Sequence, residues 1–310
     1  MPEKEKKFPL VSIVTVNYNQ SEVTCEFLTS LSKISYKNIE VFVVDNASYE
    51  DDPTIIKERF PEINFIQTKK NLGFAGGNNA ALPFCHGKYV LFINNDTEVP
   101  VDFLEPLVDV LESNKTIGMV SPKIHYFHTP ETFQFAGFTP IDPITVRNFA
   151  IGFGEKDHGQ YDTTNETGSI FGAAMLVRMD LIEKIGMMSE VFFLYYEEHD
   201  WAEHFKKKGY KIYYQGKSLV HHKESISTIK DSPFQIFFLN RGRLLYARRN
   251  NKGLVKLASM FYLNLIAMPK TAFSYLKNGR VDLFKAIFKA VWWHVTHYKG
   301  IYGLPKLEKN

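Results

Sequence analysis

Cysteine is scarce in this chain of 310 residues, which holds only Cys25 and Cys85. Two cysteines far apart on apolar segments exclude a disulfide framework, and a reduced compartment is expected. Membrane-spanning runs are also lacking. The most apolar part of the C-terminal region, "VKLASMFYLNLIAM", is free of charge only from Leu257 through Pro269. That is too short for a spanning helix, which needs about 20 residues. The N-terminal "MPEKEKKFPLVSIVTV" has neither the apolar core nor the cleavage site of a signal peptide, so a cytoplasmic protein is expected. Two phosphate-binding signatures are missing. After the first strand the chain reads "VNYNQSEVT", with no G-x-G-x-x-G, and no G-x-x-x-x-G-K-[ST] occurs anywhere. Both absences argue against NAD binding and P-loop phosphoryl transfer. Acidic residues are rare late in the chain. From Arg241 onward there are 14 Lys and Arg against Asp282 and Glu308, a balance of +12, so with +3 overall the first 240 residues carry −9. An acidic globular part and a basic tail with a separate task follow.

What is present is a series of apolar runs that end in polar residues. "LVSIVTVNYN" (10–19), "IEVFVVDNAS" (39–48), "INFIQTKKN" and "KYVLFINND" (88–96) read as buried strands. "SEVTCEFLTSLSKI" (21–34) has helical spacing, "DPTIIKERF" is a short helix, and "NLGFAGGNNAAL" (71–82) is a glycine-rich loop running into a helix. Alternation of this kind predicts an α/β fold with a doubly wound, mostly parallel sheet covered by helices on both faces. In such sheets ligands sit beyond the carboxyl ends of the strands. Asn17, Asn19, Asp45, Asn94 and Asp96 all fall there. Residues 120–168 read as loop and hairpin, one wall of a pocket. "GAAMLVRMDLIEKIG" (172–186) is a strand and short helix, and "HDWAEHFKKKGYKIYY" (199–214) a helix, a glycine stop and a strand. The expected division is a catalytic domain over 1–235 and a helical, amphipathic extension over 236–310. In "RVDLFKAIFKAVWWHV" (280–295) helical spacing puts Val281, Phe284, Ile287, Phe288, Val291 and Trp292 on one face, with Lys285 and Lys289 opposite. A basic amphipathic helix with Trp and Phe suits a membrane surface more than a nucleic-acid backbone, so no nucleic-acid partner is expected. Packing of the tail on the catalytic part, or pairing of two copies, are its alternatives.

Three stretches carry chemistry. Asp96 ends "LFINND"; it is either the cap of the turn that follows or a ligand for a hard cation such as Mg²⁺ or Mn²⁺, which binds through one or two carboxylates plus substrate phosphates. Asp45, a second strand-end carboxylate, favours the metal, because two such charges are costly unless something binds them. In "YYEEHDWAEHF", Glu197, Glu198 and Asp200 are either a solvated acidic helix start or the source of a general base. In "SLVHHKESIS", His221 and His222 alternate faces, so one of them points inward, where an imidazole either packs or completes a Mn²⁺ or Mg²⁺ site.

Taken as a set, "VSIVTVNYN", "VFVVDNAS", "NLGFAGGNNAAL", "LFINNDTEV", "GAAMLVRMDLIEKIG", "FFLYYEEHDW" and "HHKESIS" resemble the family 2 glycosyltransferases of the GT-A fold, and most closely their bacterial rhamnosyltransferase-like branch. The resemblance runs from about Val11 to Ser227 and continues weakly through "FFLNRGRLLYARRN". It implies an inverting, metal-dependent transfer of a sugar from a UDP- or dTDP-sugar to a glycan or lipid-linked glycan in surface polysaccharide synthesis, at the inner face of the cell membrane. By the same resemblance Asp45 would bind the nucleotide base, with Tyr18 and Asn19 near it. Asn71, Gly76, Asn78, Asn94 and Asn95 would line the nucleotide-sugar site. Asp96 would be the metal-binding aspartate of the family's D-x-D element, with His222 as the metal-proximal histidine and Mn²⁺ or Mg²⁺ as cofactor. Glu198 holds the catalytic-base position, with Glu197 and Asp200 open as alternatives. Two departures stand out: the first D-x-D carboxylate is an amide, Asn94, and the base position holds Glu instead of Asp. Alternative readings are a nucleotide-sugar-binding scaffold without catalysis and a sugar-nucleotide pyrophosphorylase. "NYNQSEVTC" lacks the glycine-rich basic loop that the second would need.

Overall fold

The computed structural model describes residues 8–223, 231–297 and 299–309. Four strands run as the alternation predicts: β1 (Val11–Asn17), β2 (Ile39–Asp45), β3 (Asn64–Gln67) and β4 (Tyr89–Ile93) pair in parallel in the order β3-β2-β1-β4. Residues of β1 and β4 are buried on both faces, as continuous Val, Ile and Phe require. Their connections are α1 (Ser21–Leu31), α2 (Thr54–Arg59) and α3 (Gly73–Ala81). The glycines expected in a loop before α3 lie inside it: Gly76 and Gly77 are helical and buried.

Beyond β4 the sheet is mixed, with antiparallel pairs beside one parallel pair. After β5 (Thr97–Glu98), α4 (Leu104–Ser113) leads to β6 (Ile117–Tyr126), then β7 (Phe133–Phe135) and β8 (Thr164–Glu166). β9 (Ala174–Arg178) inserts antiparallel between β4 and β6, and α5 (Met179–Ile185) and α6 (Glu197–Lys207) follow. β10 (Lys211–His222) is parallel to β6 and antiparallel to β5. The region expected as loop and hairpin, 120–168, therefore begins with the last seven residues of a ten-residue strand, β6. Pro122 hides it from periodicity. Its missing N–H is tolerated because it faces the register shift between Gln215 and Leu219 of β10.

The C-terminal part is helical: α7 (Pro233–Asn250), α8 (Gly253–Tyr262), a π-turn over Leu263–Ala267, α9 (Met268–Lys277) and α10 (Val281–Thr296). The expected division at 235–236 falls inside α7. Leu244 and Leu245 of α7 share a core with Val146 and Phe192 of the preceding part and with Leu283 and Ile287 of α10. The face of α10 differs from the expected one. Leu283, Ala286, Ile287 and Ala290 are buried, while Val281, Phe288, Trp292 and Val295 are exposed. The small alanines let α10 approach its neighbour closely, which turns the large side chains outward. At about 100° per residue, Lys285 lies about 20° from Trp292, so the lysines border the apolar stripe instead of opposing it.

Candidate active site

The strand ends form one polar edge. Asn17 lies in register with Asp45, and its Nδ2 donates to Asp45 Oδ1 at 3.0 Å. Thr24 donates to Asn17 Oδ1 at 2.8 Å and accepts from Asn95 Nδ2 at 2.9 Å, which joins β1, α1 and the end of β4. Asp45 is fully buried, and its oxygens also accept from the Ser48 hydroxyl at 2.6 Å and Gln67 Nε2 at 3.2 Å. Asn19, in the left-handed region at φ 54°, accepts from the backbone N–H groups of Tyr49 and Glu50. Asp45 and Asn19 thus fix the loop after β2 and do not line the cavity beside it.

That cavity encloses about 290 Å³, at the small end of ligand clefts. Seven residues singled out from the sequence line it: Tyr18, Asn71, Asn78, Asn94, Asn95, Asp96 and His222. Gly76 does not. It lies on α3, where a Cβ would meet Leu72 Cβ at 2.7 Å, so its smallness serves packing. The sequence reading missed Asn46, Phe74, the run Phe193–Leu194–Tyr195 and Phe234, which also line the cavity. Asn46 ties the wall together: its Nδ2 donates to Asn71 Oδ1 at 3.1 Å, and its Oδ1 accepts from Leu72 N at 2.9 Å.

At the floor, β-pairing does the positioning. The register His222↔Thr97, with Lys223 N donating to Asp96 O at 2.8 Å, places the imidazole beside Asp96. His222 Nε2 is 3.2 Å from Asp96 Oδ1, yet that oxygen is buried and accepts no hydrogen bond. Gln134 Oε1 lies 2.8 Å from His222 Nδ1 and can only accept, so Nδ1 carries a proton, and in the neutral ring the Nε2 lone pair faces Asp96 Oδ1 and, at 3.5 Å, Asn94 Nδ2. With the imidazole neutral, two acceptors face each other, an arrangement that a cation could join. Among the described residues no group of three or more His, Cys, Asp and Glu could hold a metal, so a cation here would have Asp96 and His222 as its protein ligands. Such a pair fits a hard ion completed by substrate phosphates, and the imidazole favours Mn²⁺. Residues 224–227 of "HHKESIS" lie outside the described residues.

The opposite wall is a strained loop. Phe193 has φ 61° and ψ −53°, and Leu194 N donates to Phe192 O at 2.6 Å, a γ-turn of the rare positive-φ kind. Tyr195 and Tyr196 are also at positive φ. From α7, Arg241 donates to the carbonyls of Val191, at 3.1 Å, and Phe192. The acidic residues that begin α6 then diverge. Asp200 is fully buried: Arg249 binds both its oxygens at 2.9 and 2.8 Å and Asn250 Nδ2 donates at 2.7 Å. The geometry corrects its candidacy as a base, since its oxygens are committed to holding α6 on α7. Glu197 is buried too, and burial, with Glu198 beside it, pushes its carboxyl well above the ordinary glutamate range. Glu198 is only partly covered. A Cβ at Gly172 would sit 3.8 Å from both Glu198 Cδ and the tip of the Phe74 ring, so Glu198 lies near Phe74, which lines the cavity, but is not itself one of the lining residues. His199, next to it, contacts the Ser169 hydroxyl at 2.7 Å, and burial lowers its imidazole below the usual range, favouring the neutral form.

A ten-stranded mixed α/β sheet with a polar cleft at its strand ends and an Asp–His pair on the cleft floor is a GT-A fold. The chain belongs to Glycosyl transferase family 2, whose sequence profile matches residues 12–186. It is therefore a glycosyltransferase. It is 25% identical over 250 residues to the low-salt glycan biosynthesis hexosyltransferase Agl10 of Haloferax volcanii, covering 76% of this chain and 74% of that one. It is 21% identical over 237 residues to the N-acetylglucosaminyl-diphospho-decaprenol L-rhamnosyltransferase of Mycobacterium tuberculosis, covering 69% and 76%. Among solved structures it is similar in fold to the mannosyltransferase PcManGT of Pyrobaculum calidifontis, in complex with GDP-Man and Mn²⁺. The TM-score is 0.58 at 16% identity, covering 94% of this chain and 76% of that one.

Proposed function

We propose that the protein is an inverting, Mn²⁺- or Mg²⁺-dependent transferase that moves a hexosyl or rhamnosyl group from a UDP- or dTDP-sugar to a glycan or lipid-linked glycan. The observation that carries the reading is the buried Asp96 oxygen without a donor, faced by the His222 lone pair at the floor of the cavity. Asp96 and His222 would hold the ion together with the donor's phosphates. Bound there, a divalent cation supplies Lewis-acid stabilisation of charge on the leaving diphosphate. Tyr18, Asn71, Asn78, Asn94 and Asn95 orient the donor, and Glu198 takes the proton of the acceptor hydroxyl. Asp96 is the only carboxylate among the described residues lining the cavity, which leaves none there to act as a nucleophile and favours a single, inverting displacement. Support for the donor and metal class comes from the mannosyltransferase structure, with its GDP-Man and Mn²⁺, and for a lipid-linked acceptor from the name of the mycobacterial relative.

Residues 253–295 supply a docking face. No helix among the described residues is long and apolar enough to cross a membrane. Leu254, Leu257, Phe261, Leu265, Phe273, Phe288 and Trp292 are nonetheless exposed, interspersed with lysines. Single exposed apolar residues are ordinary, but a run of them over three helices marks an interaction surface. We assign it to the anionic leaflet of a membrane, at its cytoplasmic side.

The test is donor hydrolysis across a panel of UDP-, dTDP- and GDP-sugars with Mn²⁺, Mg²⁺ or EDTA. Metal-dependent release of nucleoside diphosphate from one donor is expected, with Asp96→Ala lowering it by about 100-fold or more. A cavity that binds none of the nucleotides in the presence of metal sinks the reading, and a product of retained configuration sinks the inverting mechanism.

A further inference from the structure

A second cleft of about 460 Å³ lies between the start of α7 and α10, lined by Phe234, Phe237, Asp282, Lys285, Ala286 and Lys289. Phe234 lines the donor cavity as well, so the two clefts share a wall. The charges in the second cleft are unbalanced. Both oxygens of Asp282 accept from Arg280, at 3.1 and 2.9 Å. Lys285 and Lys289 are exposed, and neither has a carboxylate partner among the described residues. They stand one helical turn apart, about 6 Å between Cβ atoms, a spacing that two phosphates of one diphosphate can bridge. Past them, the same side of α10 exposes Phe288 and Trp292. The order along the surface is thus the donor cavity, an aromatic partition, two ammonium groups without a carboxylate partner among the described residues, and an apolar stripe.

We propose that this cleft is an acceptor subsite for a lipid diphosphate. The diphosphate rests on Lys285 and Lys289, the hydrocarbon chain runs along Phe288 and Trp292, and the attached sugar passes Phe234 toward the donor. The inference deepens the glycosyltransferase reading and rests on it. A bilayer phospholipid would satisfy the apolar stripe, but it offers one phosphate and nothing to reach the donor cavity.

The experiment titrates farnesyl diphosphate into the full chain by calorimetry, with Mn²⁺ and the selected nucleoside diphosphate already bound. The expected result is binding that the nucleotide does not displace. It should be at least about tenfold tighter than for farnesol or inorganic diphosphate, which corresponds to about 1.4 kcal/mol or more. Lys285→Ala/Lys289→Ala should weaken it at least tenfold, whereas Lys270→Ala/Lys277→Ala, on α9, should not. Equal loss in both double variants, displacement by nucleotide, or affinity for inorganic diphosphate equal to that for the farnesyl compound each overturn the subsite. So does attachment of the protein to phosphatidylglycerol vesicles without any affinity for farnesyl diphosphate. Nucleotide binding measured in the same samples separates the two failures. A chain that binds nucleotide but not farnesyl diphosphate loses only the subsite, and a chain that binds no nucleotide loses the glycosyltransferase reading and the subsite with it.

Discussion

Three acidic residues within four positions, Glu197, Glu198 and Asp200, meet three different environments, and each environment predicts a different loss. Asp200→Ala would strand the Arg249 guanidinium, whose side chain is 2% exposed. Breaking a buried pair by removing one partner costs about 3–5 kcal/mol, so thermal unfolding should shift down by on the order of 10 °C. Glu198→Gln keeps shape and removes the base. Turnover should fall about 100-fold or more with the melting temperature nearly unchanged, and a variant that melts early instead would make Glu198 a packing residue. Glu197 predicts a pH dependence. Its carboxyl is raised by burial from a reference value of 4.5, so above that value the folded chain retains a proton that the unfolded chain has released. The stability this contributes is complete below the unfolded pKa and is lost as pH rises through the folded one. Glu197→Gln abolishes the titration, so scanning calorimetry from about pH 5 to about pH 9 should find the wild type losing ground to the variant as pH rises. A constant gap would mean that Glu197 is ionised in the fold. The sequence displayed these carboxylates but could not assign them, because the difference lies in partners 40 to 50 residues away, such as Arg241 and Arg249. Asp96 was visible as a strand-end carboxylate, whereas alternation said only that one of His221 and His222 faces inward, and the family resemblance singled out His222. Gln134, which sets the His222 tautomer, stands in a strand of three residues that offers no pattern to read.

Elements position these residues through close contacts that forbid side chains. Gly73 opens α3 at φ +71°, and a Cβ there would lie 2.2 Å from Phe193 O, the oxygen that accepts from Phe74 N at 2.7 Å. Gly73→Ala should therefore push the 193–195 wall out of place. Nucleotide affinity is expected to fall at least about tenfold with helix content by circular dichroism retained, and an unchanged affinity would show that this wall does not touch the donor. The first half of the sheet was legible because parallel strands buried on both faces read as continuous apolar runs. The second half was not: β9 has the same apolar character as β4, and nothing in "AAMLV" encodes that it enters antiparallel. The face of α10 was misread for a related reason. Periodicity ranks residues by hydrophobicity, whereas its packing selects size, so Ala286 and Ala290 go inward and Trp292 outward. The same inversion makes the helix two-sided, with one face held by the protein and large apolar side chains exposed on the other.

At the scale of the whole molecule, the charge asymmetry becomes a prediction about salt. The part from Arg241 onward carries +12 and the part before it −9, but Arg241, Arg243, Arg248 and Arg249 are buried, so the proposed attraction to an anionic leaflet would rest on the exposed lysines of α8 to α10. Each Lys or Arg near such a surface contributes about 1 kcal/mol, within a Debye length of about 10 Å at 0.1 M salt and about 3 Å at 1 M. Insertion of Phe288 and Trp292 is not screened. Two regimes should appear in flotation with phosphatidylglycerol vesicles. At about 0.1 M salt the protein should float, and at about 1 M a reduced fraction should remain attached through the apolar stripe. Phe288→Ser/Trp292→Ser should abolish the residual fraction at high salt while leaving much of the attachment at low salt, and it should not lower the melting temperature, since both side chains already face outward. Neutral phosphatidylcholine vesicles should capture little of either protein. If the apolar stripe pairs two copies of the chain instead, sedimentation will show a dimer that the double variant dissociates, and vesicles of either charge will leave the protein in solution.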